Sequence, residues 1–180
     1  MARITVVGAG VVGLTCAVRL LEAGHRVDVL ARELPLETTS AVAAALWYPY
    51  RVEPRDRVLG WSSASYAVFA GLATSEPDSG VRLVTGTEVL RAAGEARPWW
   101  ADAVPDWRTT ADLPTGFLSG WSFTSPVVEM PAYLRWLVGR VAALGGTLTR
   151  LTVTALPDGP DVVVNSSGLG ARRASAPTPP

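Results

Sequence analysis

Three glycines near the amino terminus have the spacing of a phosphate-binding turn. The segment reads Gly8-Ala9-Gly10-Val11-Val12-Gly13, which fits the pattern G-x-G-x-x-G. In such a turn the first glycine permits a tight bend, the second lets the backbone approach a pyrophosphate, and the third lets helix and strand pack closely. A helix that begins here adds unpaired N–H groups and the positive end of its dipole. The segment therefore predicts binding of a dinucleotide.

The residues expected at the adenosine ribose leave the identity of that dinucleotide open. Glu33 lies 20 residues beyond Gly13, a separation at which an acidic side chain binds a free ribose 2′-hydroxyl. Arg32 precedes it and would favour a 2′-phosphate instead. This pair alone is compatible with FAD, NAD and NADP.

Two strands and a helix are predicted to position the turn. Arg3–Val7 is a short apolar run that ends in glycine, as expected of a strand buried in a parallel sheet. Residues 11–23 suit a helix, which Gly24 would end in a left-handed conformation. Arg26–Ala31 alternates as a second strand. These elements predict a strand, helix and parallel strand joined by a right-handed crossover.

The middle of the chain predicts an insertion into this sheet. Residues 55–74 suit a helix, and residues 80–90 read as extended chain bounded by turn formers. Residues 97–123 combine four tryptophans with prolines and glycines, which predicts irregular structure and short strands.

Regular elements return after residue 130 and complete the predicted fold. A helix is expected from Pro131, followed by strands over residues 147–156 and 161–165. The fold class is therefore α/β, a Rossmann-like fold whose parallel, doubly wound sheet is interrupted by a β-rich insertion. Residues 174–180 are too rich in proline to join either layer and are predicted to be a disordered tail.

Composition narrows the classes of partner. Sixteen basic and sixteen acidic side chains give a formal charge of zero, so no positive field attracts nucleic acid or an anionic membrane. The single cysteine cannot form an internal disulfide, and the single histidine argues against a metal cluster or a histidine-based triad. We expect a cytoplasmic protein with a small-molecule partner, neither nucleic acid nor membrane, and no metal.

Two further segments resemble those of the D-amino-acid oxidase family. Residues 38–50 read Thr-Thr-Ser-Ala-Val-Ala-Ala-Ala-Leu-Trp-Tyr-Pro-Tyr, in which hydroxyl groups suit phosphates and small side chains suit a planar ring. Residues 162–172 are similar to the family's strand and turn that close over the adenosine diphosphate. The similarity runs in order from residue 1 to about residue 173.

The resemblance implies FAD as the cofactor and assigns contacts to particular residues. Besides the glycine turn, Arg32 and Glu33, the implied FAD-binding residues are Thr38, Thr39, Ser40, Ala44, Ala45 and Leu46 along the pyrophosphate and flavin, Val153 at the adenine, and Ser167 and Gly168 at the ribose or phosphate. One departure is Ala45, where the family usually has glycine beside the flavin. An added methyl group there would shift the ring or weaken its binding.

The implied reaction is oxidation of a D-amino acid. A hydride would pass from the α-carbon to flavin N5, the imino acid would hydrolyse to a 2-oxo acid and ammonia, and molecular oxygen would become hydrogen peroxide. In the family an arginine and tyrosines from the second half hold the substrate carboxylate, and no position here matches them. The catalytic residues are therefore unassigned, we expect a truncated form, and a homodimer is left open.

The resemblance also divides the chain into domains and leaves two alternative functions. Residues 1–75 and 130–173 would be FAD-binding segments, and residues 76–129 a partial substrate-domain insertion. The glycine turn with Arg32 is also compatible with an NAD(P)-dependent oxidoreductase. The second alternative is that the shortened chain is a non-catalytic remnant, which only binds a cofactor.

Overall fold

A computed structural model describes residues 1–49, 51–93 and 96–171 of the chain. Tyr50 and the predicted tail at 174–180 lie outside the described residues. The described elements follow one another as β1 (Arg3–Val7), α1 (Val11–Glu22), β2 (Arg26–Ala31), α2 (Arg55–Ser75), β3 (Val81–Leu90), β4 (Arg108–Thr109), β5 (Ser119–Val128), α3 (Met130–Ala143), β6 (Thr147–Arg150) and β7 (Val162–Asn165).

The chain divides into two compact units. Among the described residues, the first unit comprises Met1–Ala43 and Met130–Ala171, and the second lies within Ala44–Glu129. One boundary between the units therefore lies before α2, and the other lies at the start of α3. Helix α2 belongs to the second unit because it packs on β3 and β5.

The first unit contains a four-stranded parallel sheet in the order β6-β2-β1-β7. Val6 of the central strand β1 lies opposite Val29 of β2 and Val164 of β7. Val6 and Val29 are fully buried, as expected for the middle of a parallel sheet. The predicted α/β class and the strand, helix and parallel strand at the amino terminus are confirmed.

Helices α1 and α3 pack against each other and form one layer on the sheet. Their contact buries Leu14, Leu134, Leu137 and Val141. The steps from β1 to β2 and from β2 to β6 run in the same direction across the sheet, so right-handed crossovers place both helices on one face. The connection from β6 to β7 contains no helix. The strand order nevertheless reverses at β1, because β7 lies on the side of β1 opposite to β2, and this is the order of a doubly wound sheet.

Strand β6 is shorter than the predicted strand over residues 147–156. Leu151 donates its N–H to the carbonyl oxygen of Ala31 at 2.8 Å, and Ala31 is the last residue of β2. Because β2 ends at Ala31, the ladder between β2 and β6 stops at the pair of Ala31 and Arg150.

The second unit is built on a long antiparallel pair. Strands β3 and β5 pair from Val81 opposite Val128 to Leu90 opposite Ser119, and β4 adds a short third strand beside β5. The irregular structure predicted over residues 97–123 is therefore only partly correct, because β5 begins at Ser119. No described helix is both long and apolar enough to cross a membrane.

Candidate cofactor site

The predicted glycine turn joins the end of β1 to the start of α1. Gly8 has a φ of +110°, a conformation that side chains rarely adopt, and a Cβ there would lie within 3.0 Å of the Ser166 backbone. A Cβ on Gly13 would clash in the same way with the carbonyl oxygen of Gly8. The turn, α1 and the segment after β7 therefore approach so closely that only glycine fits at both positions.

Ser40 brings the hydroxyl segment to the amino end of α1. The N–H of Val11 donates to Oγ of Ser40 at 3.1 Å, across 29 positions in sequence. Gly10 is the N-cap residue, and a Cβ on it would lie 3.0 Å from the same oxygen. The first turn of α1 contains no acidic residue, so its positive dipole end is not neutralised locally. Two segments predicted separately to bind the cofactor thus meet at this helix end.

Thr38 and Thr39, which precede Ser40, do not share its hydrogen bond to α1. Thr38 donates its hydroxyl to the carbonyl oxygen of Pro35 at 2.6 Å, so this hydroxyl closes its own turn. Thr39 is exposed and begins a short 3₁₀ turn over Thr39–Val42. Ala9 is buried below the glycine turn, whereas Val12 is exposed on α1. Of the three hydroxyl residues, Ser40 is the one in contact with the helix.

Arg32 and Glu33 pair with each other at the end of β2. Their side chains lie 2.7 Å apart and are 59% and 45% exposed. An exposed pair of this kind contributes about 0–1 kcal/mol, so it does not fix either side chain firmly. The geometry places both residues beside the turn at the carboxyl edge of the sheet, and it does not distinguish between a free 2′-hydroxyl and a 2′-phosphate.

The segment after β7 closes against the glycine turn. The N–H of Ser166 donates to the carbonyl oxygen of Val7 at 2.8 Å. Asn165 accepts hydrogen bonds at Oδ1 from the hydroxyl and N–H of Ser167, at 2.6 and 3.2 Å. Gly168 follows with a φ of +59°. Ser167 therefore lies near the turn, while Val153 lies in the connection between β6 and β7 and is half-buried.

Three residues that position this site were missed in the sequence. Asn165 and Ser166 form the turn described above, and an asparagine at a strand end followed by serines is a local signal for it. Glu37 accepts the N–H of Leu34 at 3.0 Å and pairs with Arg150 at 3.2 Å, which ties the chain after β2 to the end of β6. The glutamate three residues after Leu34 has capping-box spacing and could have indicated the first contact.

Ala44, Ala45 and Leu46 belong to the second unit. The carbonyl oxygen of Ala45 accepts the N–H of Val128 at 2.8 Å, and Leu46 forms an isolated antiparallel bridge with Val127. The segment is thus held along β5 by its backbone, and the side chain of Leu46 is 55% exposed. Ala44 and Ala45 thus contribute small side chains to a segment whose backbone is held by β5.

Comparison with known proteins places the chain in a family. Residues 3–179 match the family described as DAO, FAD dependent oxidoreductase. The chain belongs to this FAD-dependent oxidoreductase family. The resemblance inferred from residues 38–50 and 162–172 is thereby confirmed, as is FAD as the cofactor of the family.

Relatives within the family include two oxidases. The chain is 50% identical over 177 residues to a D-amino-acid oxidase of Rubrobacter xylanophilus, covering 96% of this chain and 54% of the relative. It is 38% identical over 186 residues to human D-aspartate oxidase, covering 96% and 54%. The chain therefore spans about half the length of the curated relatives it matches.

Solved structures support the Rossmann-like fold of this family member. An L-amino acid deaminase from Proteus vulgaris superposes with a TM-score of 0.74, covering 97% of this chain and 55% of that chain. Its sequence identity is 14%, so this likeness concerns the fold alone.

Proposed function

We propose that the chain binds FAD at the amino end of α1 and serves in the oxidative deamination of D-amino acids to 2-oxo acids, ammonia and hydrogen peroxide. The observation that carries the proposal is the hydrogen bond from Val11 N–H to Ser40 Oγ, which joins the glycine turn to the hydroxyl segment. The family and the D-amino-acid oxidase relative support the same conclusion.

The residues at this site fit a dinucleotide. Gly10 leaves its backbone open to a pyrophosphate, and the uncompensated helix end favours a negative charge. Glu33 would accept the ribose hydroxyl, and Ser167 would lie at the ribose or phosphate of the adenosine diphosphate. Bound FAD supplies hydride acceptance and reoxidation by oxygen, while the protein binds and orients.

We assign the first unit to FAD and the second to part of a substrate domain. The relatives act, by their names, on D-amino acids or D-aspartate, whereas the Proteus neighbour with the same fold is named for L-amino acids. The fold therefore carries no stereochemical information, and preference for the D-enantiomer rests on the closer sequence relatives.

A visible spectrum tests the cofactor directly. The purified chain should be yellow, and denaturation should release FAD. When FAD is added back to the apoprotein, we expect one FAD to bind per chain. Titration with NAD and NADP should give no saturable response. A colourless protein that ignores FAD and binds NADP would replace this proposal with the dehydrogenase alternative.

Turnover tests the reaction separately from cofactor binding. Peroxide release would be measured with D-alanine and D-aspartate, and with both L-enantiomers as controls. Peroxide from D-enantiomers alone is the expected result. A protein that binds FAD and releases no peroxide would be the non-catalytic remnant, and release from L-enantiomers would reverse the stereochemical assignment.

Location and assembly are further predictions. We expect the chain in the cytoplasm, which cell fractionation would check. Sedimentation of the FAD-bound protein would distinguish a monomer from the homodimer that the resemblance leaves open.

A further inference from the structure

The solvent-facing side of α2 carries apolar surface without charge. None of residues 58–75, which form most of this helix, is charged. Val58, Ser62 and Tyr66 are its buried residues, four positions apart, so the opposite side of the helix faces solvent. A helix on the surface of a soluble protein normally carries charged groups on that side. The exposed side of α2 therefore has the composition of a contact surface.

Two large apolar side chains lie on this exposed side. Trp61 is 63% exposed and Val68 is 50% exposed, and they lie about two helical turns apart on the same side. Ala64 lies between them and is also exposed. We define the outer face of α2 as these three residues together with the exposed glycines Gly60 and Gly71.

The fold of the chain does not require the two glycines of the outer face. Neither Gly60 nor Gly71 has a left-handed φ, and a Cβ on either would meet no atom within 4 Å. Within a helix glycine is less favourable than alanine, so both positions lower the stability of α2 without a reason inside the chain. The missing side chains leave notches into which a side chain of another molecule can pack.

The two ends of α2 carry opposite charge. Arg55 and Arg57 flank Asp56 at the amino end, whereas Glu76 and Asp78 follow the carboxyl end. In the part of the chain that the structure describes, Arg57 forms no ion pair. A second copy of α2 in antiparallel direction would place each basic end beside an acidic end, and the helix dipoles would also attract each other.

One antiparallel register combines this charge pairing with complementary shape. Ala64 of one copy can lie opposite Val68 of the other. One turn further out, Trp61 then lies opposite Gly71, whose notch accepts the indole ring. Arg57 comes within a turn of the acidic end of the second helix. Because the pair has two-fold symmetry, each of these contacts occurs twice.

We propose that the outer face of α2 binds a second copy of the chain as an antiparallel, two-fold symmetric helix pair. The Trp61 ring of each copy packs into the notch at Gly71 of the other, and the charged ends pair across the interface. The proposal goes beyond the oxidase function, because this surface lies within the second unit and requires no bound FAD. A single helix pair is a small interface, so the dimer should dissociate on dilution.

Sedimentation equilibrium over a concentration series tests the contact, with and without added FAD. The unsubstituted chain should follow a monomer–dimer equilibrium in both conditions. Trp61→Glu should weaken dimerisation about tenfold or more, because it removes the ring and places a carboxylate at each notch. Ser63→Glu is the matched control, since it adds the same charge at an exposed position beside the outer face and should leave dimerisation nearly unchanged. Thermal unfolding reports whether each variant is folded.

Charge reversal tests the antiparallel direction. Arg57→Glu should weaken the homodimer, and so should Glu76→Arg combined with Asp78→Arg, because each places like charges together. When the two variants are mixed, they should dimerise with each other about tenfold more tightly than either does alone, since both ends of the mixed pair carry opposite charge. High salt should reduce this preference. Asp78→Arg alone is the milder variant if the double one unfolds.

A chain that stays monomeric at its highest soluble concentration would overturn the proposal. Equal effects of Trp61→Glu and Ser63→Glu would also overturn it, because the contact would then lie elsewhere. A mixture of the charge variants that dimerises no better than its components would exclude the antiparallel pair. A chain that fails to bind flavin can still dimerise, and a chain that binds flavin can stay monomeric, so the two proposals fail separately.

Discussion

Gly13 is a position at which one methyl group should disrupt the cofactor site. Its φ is not left-handed, so the constraint comes from space alone, and a Cβ would clash with the carbonyl oxygen of Gly8. We expect Gly13→Ala to lower the free energy of unfolding by about 1–3 kcal/mol, as overpacking does, and to weaken FAD binding. Thermal unfolding with and without FAD measures both effects.

Gly139→Ala is the matched control for this substitution. Gly139 lies within α3, and a Cβ there would meet no atom within 4 Å. Alanine at this position should raise the free energy of unfolding by about 0.5–1 kcal/mol through helix propensity. Similar destabilisation by both alanines would show that close packing at Gly13 is not the cause.

Ser40 should matter more than the hydroxyl residue beside it. Ser40→Ala removes the acceptor for the Val11 N–H, and loss of such a helix-end contact costs about 1 kcal/mol. FAD affinity should fall with it, because the segment is no longer held at the helix end. Thr39→Ala, at an exposed neighbour, should leave both quantities nearly unchanged. Flavin fluorescence titration measures the FAD affinity of both variants. Equal affinities would refute the role of Ser40.

At the scale of elements, Asp106 ties the loop before β4 to the central strand β5. Its carboxylate accepts the N–H of Thr124 at 2.9 Å and the hydroxyl of Thr124 at 2.6 Å. Burial raises the pKa of Asp106, but the hydrogen bonds from Thr124 and the charge of Arg108 outweigh it and hold the pKa below its ordinary value. The charged form is therefore the one that the folded second unit favours.

This shift predicts a pH dependence of stability. The folded pKa lies below the unfolded value of about 3.9, so the stabilisation is present above the unfolded pKa and is lost as pH falls through the folded one. Asp106→Asn should therefore lose less stability on acidification than the unsubstituted chain does. Thermal unfolding between neutral and acidic pH would check this, with exposed Asp112→Asn as control. Parallel profiles for Asp106→Asn and the unsubstituted chain would contradict the prediction.

Elements whose signal is local were predictable from the sequence. β1, α1 and β2 combine apolar runs, helical spacing and glycines, and each formed within one or two residues of its predicted bounds. β5 was not predicted at full length, because its residues include Gly120 and Pro126 and its pairing with β3 is a long-range interaction. The end of β6 likewise depends on where its neighbour β2 stops.

In the candidate site, too, the local features were predictable from the sequence and the long-range contacts were not. The glycine turn was found from its spacing, since a fixed sequence motif determines the local backbone. The contact between Val11 and Ser40 joins residues far apart in sequence, and no local pattern specifies which of three adjacent hydroxyl groups makes it. The approach of Ser166 to Gly8 is also a tertiary contact, so the sequence indicated the participating segments but not the pairs.

At the scale of the whole molecule, a low net charge and exposed apolar side chains both favour self-association. The formal net charge at pH 7 is zero and the isoelectric point is about 6.6, so electrostatic repulsion between molecules is weak near neutral pH. Val42 and Leu169 are 86% and 89% exposed, and both lie in segments assigned to the cofactor site. Apolar groups on a weakly charged surface favour self-association.

We therefore expect FAD-free protein to self-associate near pH 6.6 and to associate somewhat less at pH 9, where its net charge is slightly negative. Light scattering over a concentration series would show an apparent mass that rises more steeply at the lower pH. Val42→Ser with Leu169→Ser should reduce this rise, because the pair removes apolar surface without changing net charge. Bound FAD should reduce it too if the flavin nucleotide covers these side chains. A constant mass at both pH values would contradict the expectation, and association unaffected by the double substitution would locate the contact elsewhere.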